Sequence, residues 1–293
     1  MLAEINSIAD LTAQYPTEKD ICHLLMDEDL LHKTAKCDKC GNNMSLRSRG
    51  SSYEWRCRVS KSQDCSSKSI KYGSFFKNTK LTLTQATKVM VMWSCQYTSS
   101  QISKEVGISE RTTCDWRNFL REICQKTEST YGKIGGNDHI VEIDETNLHS
   151  RKYGVGKGTN EDWIFGGIDR ESGKVFMKRV VNRSASVLVP LLQANVEKRS
   201  VVYSDEWRSY SQLKRYFTDH YTVCHKTQFI NVVGTRRVCT NGVESMWSRL
   251  KKPFKAANGT SSALLDSYLS EFVCRENEKD DFFQSVINGM KIS

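Results

Sequence analysis

The chain has 293 residues, enough for one sizeable core with one or two small modules, or for two ordinary domains, and too many for a lone small domain. Apolar residues make up 38% of it without any run near the ~18 that a bilayer span needs, which excludes a membrane protein. The net charge of +9 is weak support for a polyanionic partner, and the first residues lack a secretory pattern, so we expect an intracellular protein.

Residues 1–35 are predicted to form a short helical lead-in. Pro16, Thr17 and Glu18 make a typical helix start. Apolar residues follow at helical spacing, namely Ile21, Leu24, Leu25, Leu30 and Leu31.

Residues 36–80 are rich in Cys, Gly and Ser, and four of the cysteines predict a structural zinc site. Cys37 and Cys40 form a Cys-x-x-Cys pair, followed by Cys57 and Cys65. Four thiolates within about 30 residues of an intracellular protein suit tetrahedral zinc, whereas unrelated free thiols are the alternative. Seven residues separate Cys57 from Cys65, so that loop has to bulge if Cys65 is to be a ligand. Trp55, Arg56 and Arg58 would then be held on a rigid ribbon able to follow a DNA backbone.

Residues 81–130 are predicted to contain a helix-turn-helix, centred on Gly107. Its second helix begins at Ser109, and the first turn of such a helix reaches base edges in DNA-binding proteins. An ordinary helical hairpin is the alternative. The residues expected to contact DNA are Ser109, Arg111, Thr112, Thr113 and Arg117.

A Gly-rich segment at residues 131–138 predicts a domain boundary, and the last domain is placed at residues 137–293. Its patterns run strand, strand, strand, helix, strand, helix, strand, helix, with WRSYSQLKRYF as one of the helices. This order predicts an α/β fold, a mixed sheet flanked by helices, which is the layout of ribonuclease-H-like domains. Fold alone does not give function.

Two aspartates end apolar strands of this domain. Asp144 follows Ile143 and shares a strand face with Glu142, and Asp205 follows Tyr203. Strand ends are where α/β sheets commonly build their sites, although strand-terminal aspartates are also common turn formers. Glu145 and Glu206 come directly after the two aspartates and are expected to point to the other face.

A third group of polar residues shares one face of the helix that follows the last strand. Asn241, Glu244 and Lys251 are spaced by three and then seven residues. A solvated stripe is the ordinary interpretation of such a face. Packing residues on the same helix and a nearby run of cations favour a phosphate-bearing substrate instead, and this run comprises Arg249, Lys251, Lys252 and Lys255.

Carboxylates arranged in this way predict phosphodiester chemistry with two Mg²⁺ or Mn²⁺ ions. Such ions stabilise the attacking and leaving oxygens of an in-line displacement, and carboxylates are the hard ligands that hold them. Asp144 is expected to bridge both ions, with Asp205 on one of them and Glu244 on the other.

The sequence resembles Merlin-type transposases and their bacterial insertion-sequence relatives over nearly its whole length. The resemblance rests on the order and spacing of VEIDET, WIFGGIDRESG, YSDEWRSY and TNGVESMWSRLKK. It implies a DDE transposase that cuts and joins DNA, with Asp144 and Asp205 as the first two acids. Relatives differ on whether the third residue is acidic, so Glu244 is preferred and Asn241 stays open.

The same resemblance implies further roles. Lys251 matches a basic partner familiar in that class, and His225 falls where such proteins tend to have a histidine near the site, although a lone histidine is more often structural. The helix-turn-helix would read terminal inverted repeats. Joining two DNA ends implies a homodimer or higher oligomer on DNA.

Two other functions stay open. One is a domesticated transposase that binds DNA without transposing it, and the other is a metal-dependent nuclease. Localisation follows from the host, the nucleus in a eukaryote and the cytoplasm or nucleoid otherwise. The segment RLKKPFK is a weak nuclear-import signal that a DNA-contacting helix end explains equally well.

Overall fold

The protein is represented by a computed structural model that describes residues 2–60, 63–148, 162–223, 231–233, 236–256 and 260–292. Chain contacts divide it into two compact units. The first unit comprises residues 1–127 together with 280–293, and the second unit comprises residues 128–279. No helix among the described residues combines the length and the apolar character that a membrane span requires.

The first unit begins with two helices, α1 (Ile8–Gln14) and α2 (Glu18–Asp27). The predicted start of α2 is confirmed, because the Thr17 hydroxyl accepts from the Asp20 backbone N–H and the Asp20 carboxylate accepts from the Thr17 N–H. Such a cap contributes about 1 kcal/mol. The apolar positions of α2 and its C-terminal turn are buried, among them Ile21, Leu25 and Leu30.

A three-stranded antiparallel sheet follows, in the order β1 (Ser45–Arg49), β2 (Ser52–Ser60) and β3 (Gln63–Ser69). The register of β2 and β3 shifts between Cys57 and Ser60. This irregularity is the bulge that the Cys57 to Cys65 spacing requires.

Three helices come next, α3 (Leu83–Ser94), α4 (Ser99–Val106) and α5 (Glu110–Glu128). Thr98 caps α4 in the same reciprocal way as Thr17 caps α2. The helix ends at Gly107, whose φ of 69° lies in the left-handed region that favours glycine. The predicted helix, Gly107 turn and helix are therefore present in this segment.

The last helix, α9 (Phe282–Met290), belongs to the first unit. The Phe282 ring lies 5.3 Å from the ring of Trp93 on α3, and the Ile292 N–H donates to the Asp29 carbonyl over 3.0 Å. A Cβ at Gly289 would come within 2.5 Å of Ile123 Cγ2, so glycine permits the close approach of α9 to α5. The domain boundary set at 137–293 therefore differs from the compact units at its C-terminal end.

The second unit is built on a five-stranded mixed sheet with the spatial order β6-β5-β4-β7-β8. The strands are β4 (Ile140–Asn147), β5 (Trp163–Asp169), β6 (Val175–Val180), β7 (Val201–Asp205) and β8 (Asp219–Val223). The first three pair antiparallel, and β7 and β8 extend the sheet in parallel with β4. This strand order is that of a ribonuclease-H-like domain, so the predicted fold class is confirmed. A short hairpin, β9 (Asn231–Val233) and β10 (Arg236–Val238), follows in the chain.

Helices cover both faces of this sheet. Helix α6 (Ala185–Asn195) and residues 210–217 pack with Val141, Ile143 and Phe165, while α7 (Asn241–Ala256) and α8 (Leu265–Glu278) pack with Ile164 and Met177. A Cβ at Gly166 would meet Trp247 Cη2 at 2.7 Å, so glycine lets α7 lie close to β5. Burial of Met246 and Trp247 contributes about 1.5–3 kcal/mol for each side chain.

One predicted helix of this unit is wrong. The segment WRSYSQLKRYF forms two short 3₁₀ helices, Arg208–Tyr210 and Leu213–Arg215. Burial explains the difference, because Tyr210, Leu213 and Phe217 are all buried in the same core, at positions that two tight turns bring to one side.

Candidate active site

Asp144 lies near the C-terminal end of β4, on the strand face that looks toward α7. The indole Nε1 of Trp247 on α7 donates to Asp144 Oδ2 over 3.0 Å. Burial, together with the charges of Asp205 and Glu244, raises the pKa of Asp144 to about 6, while two hydrogen bonds oppose the shift. Asp144 is thus a buried carboxylate whose ionised form is disfavoured by two acidic neighbours, with the Lys251 ammonium as a cation within electrostatic range.

Asp205 ends β7, the strand that runs parallel to β4. The pairing is in register from Ile140 with Val201 to Glu142 with Tyr203, and continuing it by two residues sets Asp144 beside Asp205. The Asp205 Oδ1 atom accepts from the Trp207 backbone N–H over 2.9 Å, which fixes the turn after the strand. The two aspartates predicted from strand ends therefore lie on neighbouring strands at the same edge.

Glu244 and Asn241 lie in the first turn of α7, and both side chains are exposed. The Thr240 hydroxyl donates to Glu244 Oε1 over 3.5 Å. Glu244 acts on Asp144 electrostatically and raises its pKa. Lys251 is half-buried two turns further on, where burial lowers its pKa and the charge of Asp144 opposes that effect.

Three carboxylates from β4, β7 and α7 thus act on one another's charge. Within the described part of the chain, their oxygens are not all gathered within 4.8 Å, the spacing expected of a formed three-ligand site. The Glu244 side chain is exposed at the start of α7, and its charge already acts on Asp144. Hard oxygen donors with unfavourable mutual repulsion are the chemistry that binds divalent cations.

Glu145 lies on the opposite face of β4, as strand alternation predicts. The buried Tyr210 hydroxyl donates to Glu145 Oε1. Burial raises the pKa of Glu145 to about 7, and the charges of Asp144 and Asp205 add to the effect across the strand. The Arg183 guanidinium, which opposes that shift, lies over the rings of Trp163 at 4.0 Å and Trp207 at 4.5 Å. Sequence patterns gave no signal for Tyr210 or Arg183.

The cations predicted to meet DNA near this site do not all remain available. Lys252 and Lys255 are exposed on α7. Arg249 makes two hydrogen bonds with Glu276, at 3.0 and 2.6 Å, and its side chain stays 43% exposed, so a DNA contact would compete with this ion pair. His225 lies outside the described residues.

The four cysteines predicted to bind zinc come together in the first unit. The ligand atoms of Cys37, Cys40, Cys57 and Cys65 all lie within 4.8 Å of one another. Cys37 Sγ is 3.6 Å from Cys65 Sγ, and Cys40 Sγ is 3.5 Å from Cys57 Sγ. Tetrahedral zinc with bonds near 2.3 Å needs sulfur atoms roughly 3.8 Å apart, so these thiols fit such an ion.

Around this cluster, Trp55 is buried and unavailable to DNA, which corrects its predicted role. Arg56 and Arg58 share the outer face of the sheet with Glu54 and Asp64. Arg56 pairs with Glu54, and Arg58 donates to Asp64 over 3.1 Å. Both guanidinium groups remain partly exposed.

At the start of α5, Ser109 is confirmed as the helix cap, since its hydroxyl accepts from the Thr112 N–H over 3.0 Å. The Arg111 side chain is 89% exposed. Thr113 is fully buried and donates to the Ser109 carbonyl, so it is withdrawn from the predicted base-reading residues. Arg117 donates to Ser99 Oγ over 3.1 Å and ties α5 to the start of α4.

Comparison with known proteins finds similarity to transposases in the second unit. Residues 132–277 match the ISXO2-like transposase domain. An uncharacterized transposase-like protein of Haemophilus influenzae is 28% identical over 107 residues, which are 36% of this chain and 84% of that protein.

Solved structures are similar at a lower level. The catalytic core of BIV integrase is 16% identical and covers 45% of this chain and 82% of its own, with a TM-score of 0.30. The mariner Mos1 paired end complex with Mg is 10% identical, and the match covers 71% of this chain and 75% of the Mos1 chain, with a TM-score of 0.27. Such low scores add nothing to what the strand order establishes.

Proposed function

We propose that this chain, whose residues 132–277 match an ISXO2-like transposase domain, is a DDE transposase that cuts DNA at terminal inverted repeats and joins the ends to a target. One observation carries the site assignment. Asp144 is a buried carboxylate whose pKa is raised by burial and by the charges of Asp205 and Glu244, which come from two other elements. A group of this kind is suited to holding divalent cations.

Asp144, Asp205 and Glu244 would hold two Mg²⁺ or Mn²⁺ ions, with Asn241 as the alternative third ligand. The bound ions would supply charge stabilisation for the attacking and leaving oxygens of phosphoryl transfer. Trp247 fixes one oxygen of Asp144 and leaves the other for coordination. Lys251, half-buried beside Asp144, would neutralise a phosphate at the reacting centre.

The first unit would supply most of the DNA recognition. Arg111 and Thr112 on the first turn of α5 would read bases, and the partly exposed Arg56 and the exposed Arg58 would contact phosphates together with Lys252 and Lys255 of the second unit. Zinc bound by Cys37, Cys40, Cys57 and Cys65 would hold the sheet that presents the two arginines. The zinc module placed before a helix-turn-helix and a catalytic domain supports a Merlin-type enzyme within the wider class.

Joining two element ends requires both to be held at once, so the working complex would be a homodimer or higher oligomer on DNA. The enzyme would act where its DNA is, in the nucleus of a eukaryotic host or in the bacterial nucleoid.

The test uses the purified chain, Mn²⁺ or Mg²⁺, and DNA carrying the terminal repeats that flank its gene, with Asp144→Asn as the matched inactive variant. Repeat-dependent cutting and joining by the wild type alone is the expected result. Repeat binding without cutting would identify a domesticated DNA-binding protein. Cutting without repeat preference would identify a nuclease, and full activity in Asp144→Asn would reject the metal mechanism.

A further inference from the structure

We infer that Glu142 is a positioning residue that fixes the start of α7, and through it Glu244, against the two aspartate-bearing strands. The inference rests on the proposed function, because it explains how residues next to Asp144, Asp205 and Glu244 in the chain would hold these three acids in place. It concerns four residues, Glu142, Arg170, Tyr203 and Val243, which we call the clamp.

Glu142 is 2% exposed and shares the α7-facing side of β4 with Asp144. Its Oε2 atom accepts from the Val243 backbone N–H over 3.0 Å. At most helix starts, the side chain of the residue just before the helix, here Thr240, would accept from a backbone N–H of the first turn such as that of Val243. Here Thr240 turns its hydroxyl toward Glu244, and a carboxylate from the sheet caps the helix in its place.

Arg170 completes the connection from the end of β5. Its Nε atom donates to Glu142 Oε1, and its Nη2 atom donates to the Cys239 carbonyl over 2.8 Å. The guanidinium also lies over the Tyr203 ring, 4.9 Å from its centroid. Arg170 therefore contacts β4, β7 and the segment that leads into α7.

The members of the clamp follow the positions of the three acids. Glu142 precedes Asp144 by two residues, and Tyr203 precedes Asp205 by two residues. Val243 directly precedes Glu244. On a strand, residues two apart share a face, so the clamp repeats the arrangement of the acids one step further from the strand ends. A shift at the clamp would move the acids with it.

Two further details support a specific contact between the Glu142 carboxylate and the start of α7. A Cβ at Gly242 would come within 2.9 Å of Glu142 Oε2, so glycine is what lets the carboxylate reach the helix. Both oxygens of Glu142 are engaged, and Arg170 balances its charge, which excludes Glu142 as a further ion ligand.

The experiment compares variants of the full chain in two measurements. One is the Mn²⁺ concentration that half-saturates cleavage of repeat DNA, and the other is hydrogen exchange of the Val243 amide. The variant Glu142→Leu with Arg170→Leu removes the acceptor without leaving an unpaired buried charge. Gly242→Ala keeps both charges and crowds the carboxylate away from the helix.

Both variants are expected to raise the half-saturating Mn²⁺ concentration about tenfold, as loss of a ligand's supporting partner commonly does, and to speed Val243 exchange. Glu142→Gln keeps one acceptor oxygen but turns an amide NH₂ toward one of the two donors, so its half-saturating Mn²⁺ concentration should lie between those of the wild type and the double variant. Asp162→Asn is the matched control, since Asp162 is also buried and paired with a partly exposed arginine, Arg179.

Unchanged values in a folded double variant would overturn the inference, and Gly242→Ala decides it if the double variant does not fold. The proposed function fails separately. Absence of metal-dependent cleavage in the wild type, with faster exchange in Gly242→Ala, would reject the chemistry and keep the helix clamp. Metal-dependent cleavage by the wild type, together with unchanged exchange of the Val243 amide in Gly242→Ala, would reject the clamp and keep the proposed chemistry.

Discussion

Asp144 experiences two unfavourable effects when it ionises in the folded protein without a metal ion. Burial removes its carboxylate from water, and the charges of Asp205 and Glu244 repel it, which together raise its pKa to about 6 from the ordinary 3.8. Because the folded pKa is above the unfolded one, the folded state holds the proton longer. The metal-free protein therefore loses stability as pH rises from about 4 to about 6.

This sign gives a prediction for metal binding. Added Mn²⁺ has to displace a proton from Asp144 at low pH, so its effect on the unfolding temperature should be small near pH 5 and grow toward about pH 8. Thermal scans across pH with and without Mn²⁺ would measure this. In Asp144→Asn the pH-dependent gain should be absent, and a gain that survives this substitution would show that the ion binds elsewhere.

A second prediction concerns the two possible third ligands on α7. Glu244→Gln removes one charge and should abolish cleavage while DNA binding persists. Asn241→Asp should be neutral or harmful, because another acid would crowd the carboxylates. Cleavage assays in Mg²⁺ and Mn²⁺ check both variants. Retained activity in Glu244→Gln together with equal or higher activity in Asn241→Asp would transfer the role to Asn241.

For individual residues, the sequence predicts the acidic side chains of the candidate site better than the residues that contact them. Asp144 and Asp205 are recognisable because each follows apolar strand residues, although β4 continues past Asp144 to Asn147. The face of β4 on which Glu145 lies follows from strand alternation. Arg170 and Tyr210 lie 26 and 65 residues from Asp144 and Glu145 along the chain, so no local pattern could connect them. Thr113 was mistaken for a surface residue because the first turn of a helix has an inner face as well as an outer one.

Among the elements of the first unit, the small sheet has few apolar residues of its own, and its exposed strands β1 and β3 bury little. Such a module needs another source of stability, and four converging thiols provide it when zinc binds.

We therefore predict about one equivalent of zinc in the purified protein and less than about half an equivalent in Cys37→Ser. Metal analysis by mass spectrometry checks this. Cys114→Ser is the matched control, because Cys114 is exposed on α5 and lies outside the cluster. Equal zinc content in all three proteins would contradict the site.

Helix α5 carries the prediction on DNA recognition. Arg111 is exposed and only weakly paired, with 3.9 Å between its Nε and Asp115 Oδ2. Arg111→Ala should weaken repeat binding by about 1–3 kcal/mol if it reads a base. Lys104→Ala, an exposed cation on α4, is the control for loss of one charge. Equal loss on unrelated DNA would indicate a phosphate contact, and unchanged affinity would remove α5 from the interface.

Helices and strands with strong periodic patterns were predicted well, including α2, α4, α5 and the strands of the mixed sheet. The segment at residues 207–217 was not, because its apolar spacing suits a helix while its burial is satisfied by two tight turns. The pairing of β4 with β7 joins residues about 60 positions apart, which only the fold class could suggest.

For the whole molecule, the division into two units does not follow the order of the chain. The second unit is continuous, whereas the first is completed by residues 280–293. Helix α9 gives the first unit a set of buried side chains, namely Phe282, Phe283, Val286, Ile287 and Met290.

Deletion of residues 280–293 should therefore destabilise the first unit, since each lost apolar side chain removes about 1.5–3 kcal/mol of burial. Hydrogen exchange in α3 should accelerate strongly, while the strands β4 and β5 keep their protection. Asn288→Ala, on the exposed side of α9, should leave both regions unchanged. Equal acceleration in α3 and in the mixed sheet would show that the two units do not unfold separately.

The position of α9 also has a consequence for biosynthesis. A ribosome makes the chain from its N-terminal side, so α1 to α5 emerge before the second unit, and α9, which packs on Trp93, emerges only after it. At about 5–20 residues per second, translation of residues 128–279 delays that helix by on the order of ten seconds or more. During that interval the partner surfaces of α9 are left uncovered and available to chaperones. A nascent chain therefore completes its second unit before its first, and a chain terminated before α9 never completes the first.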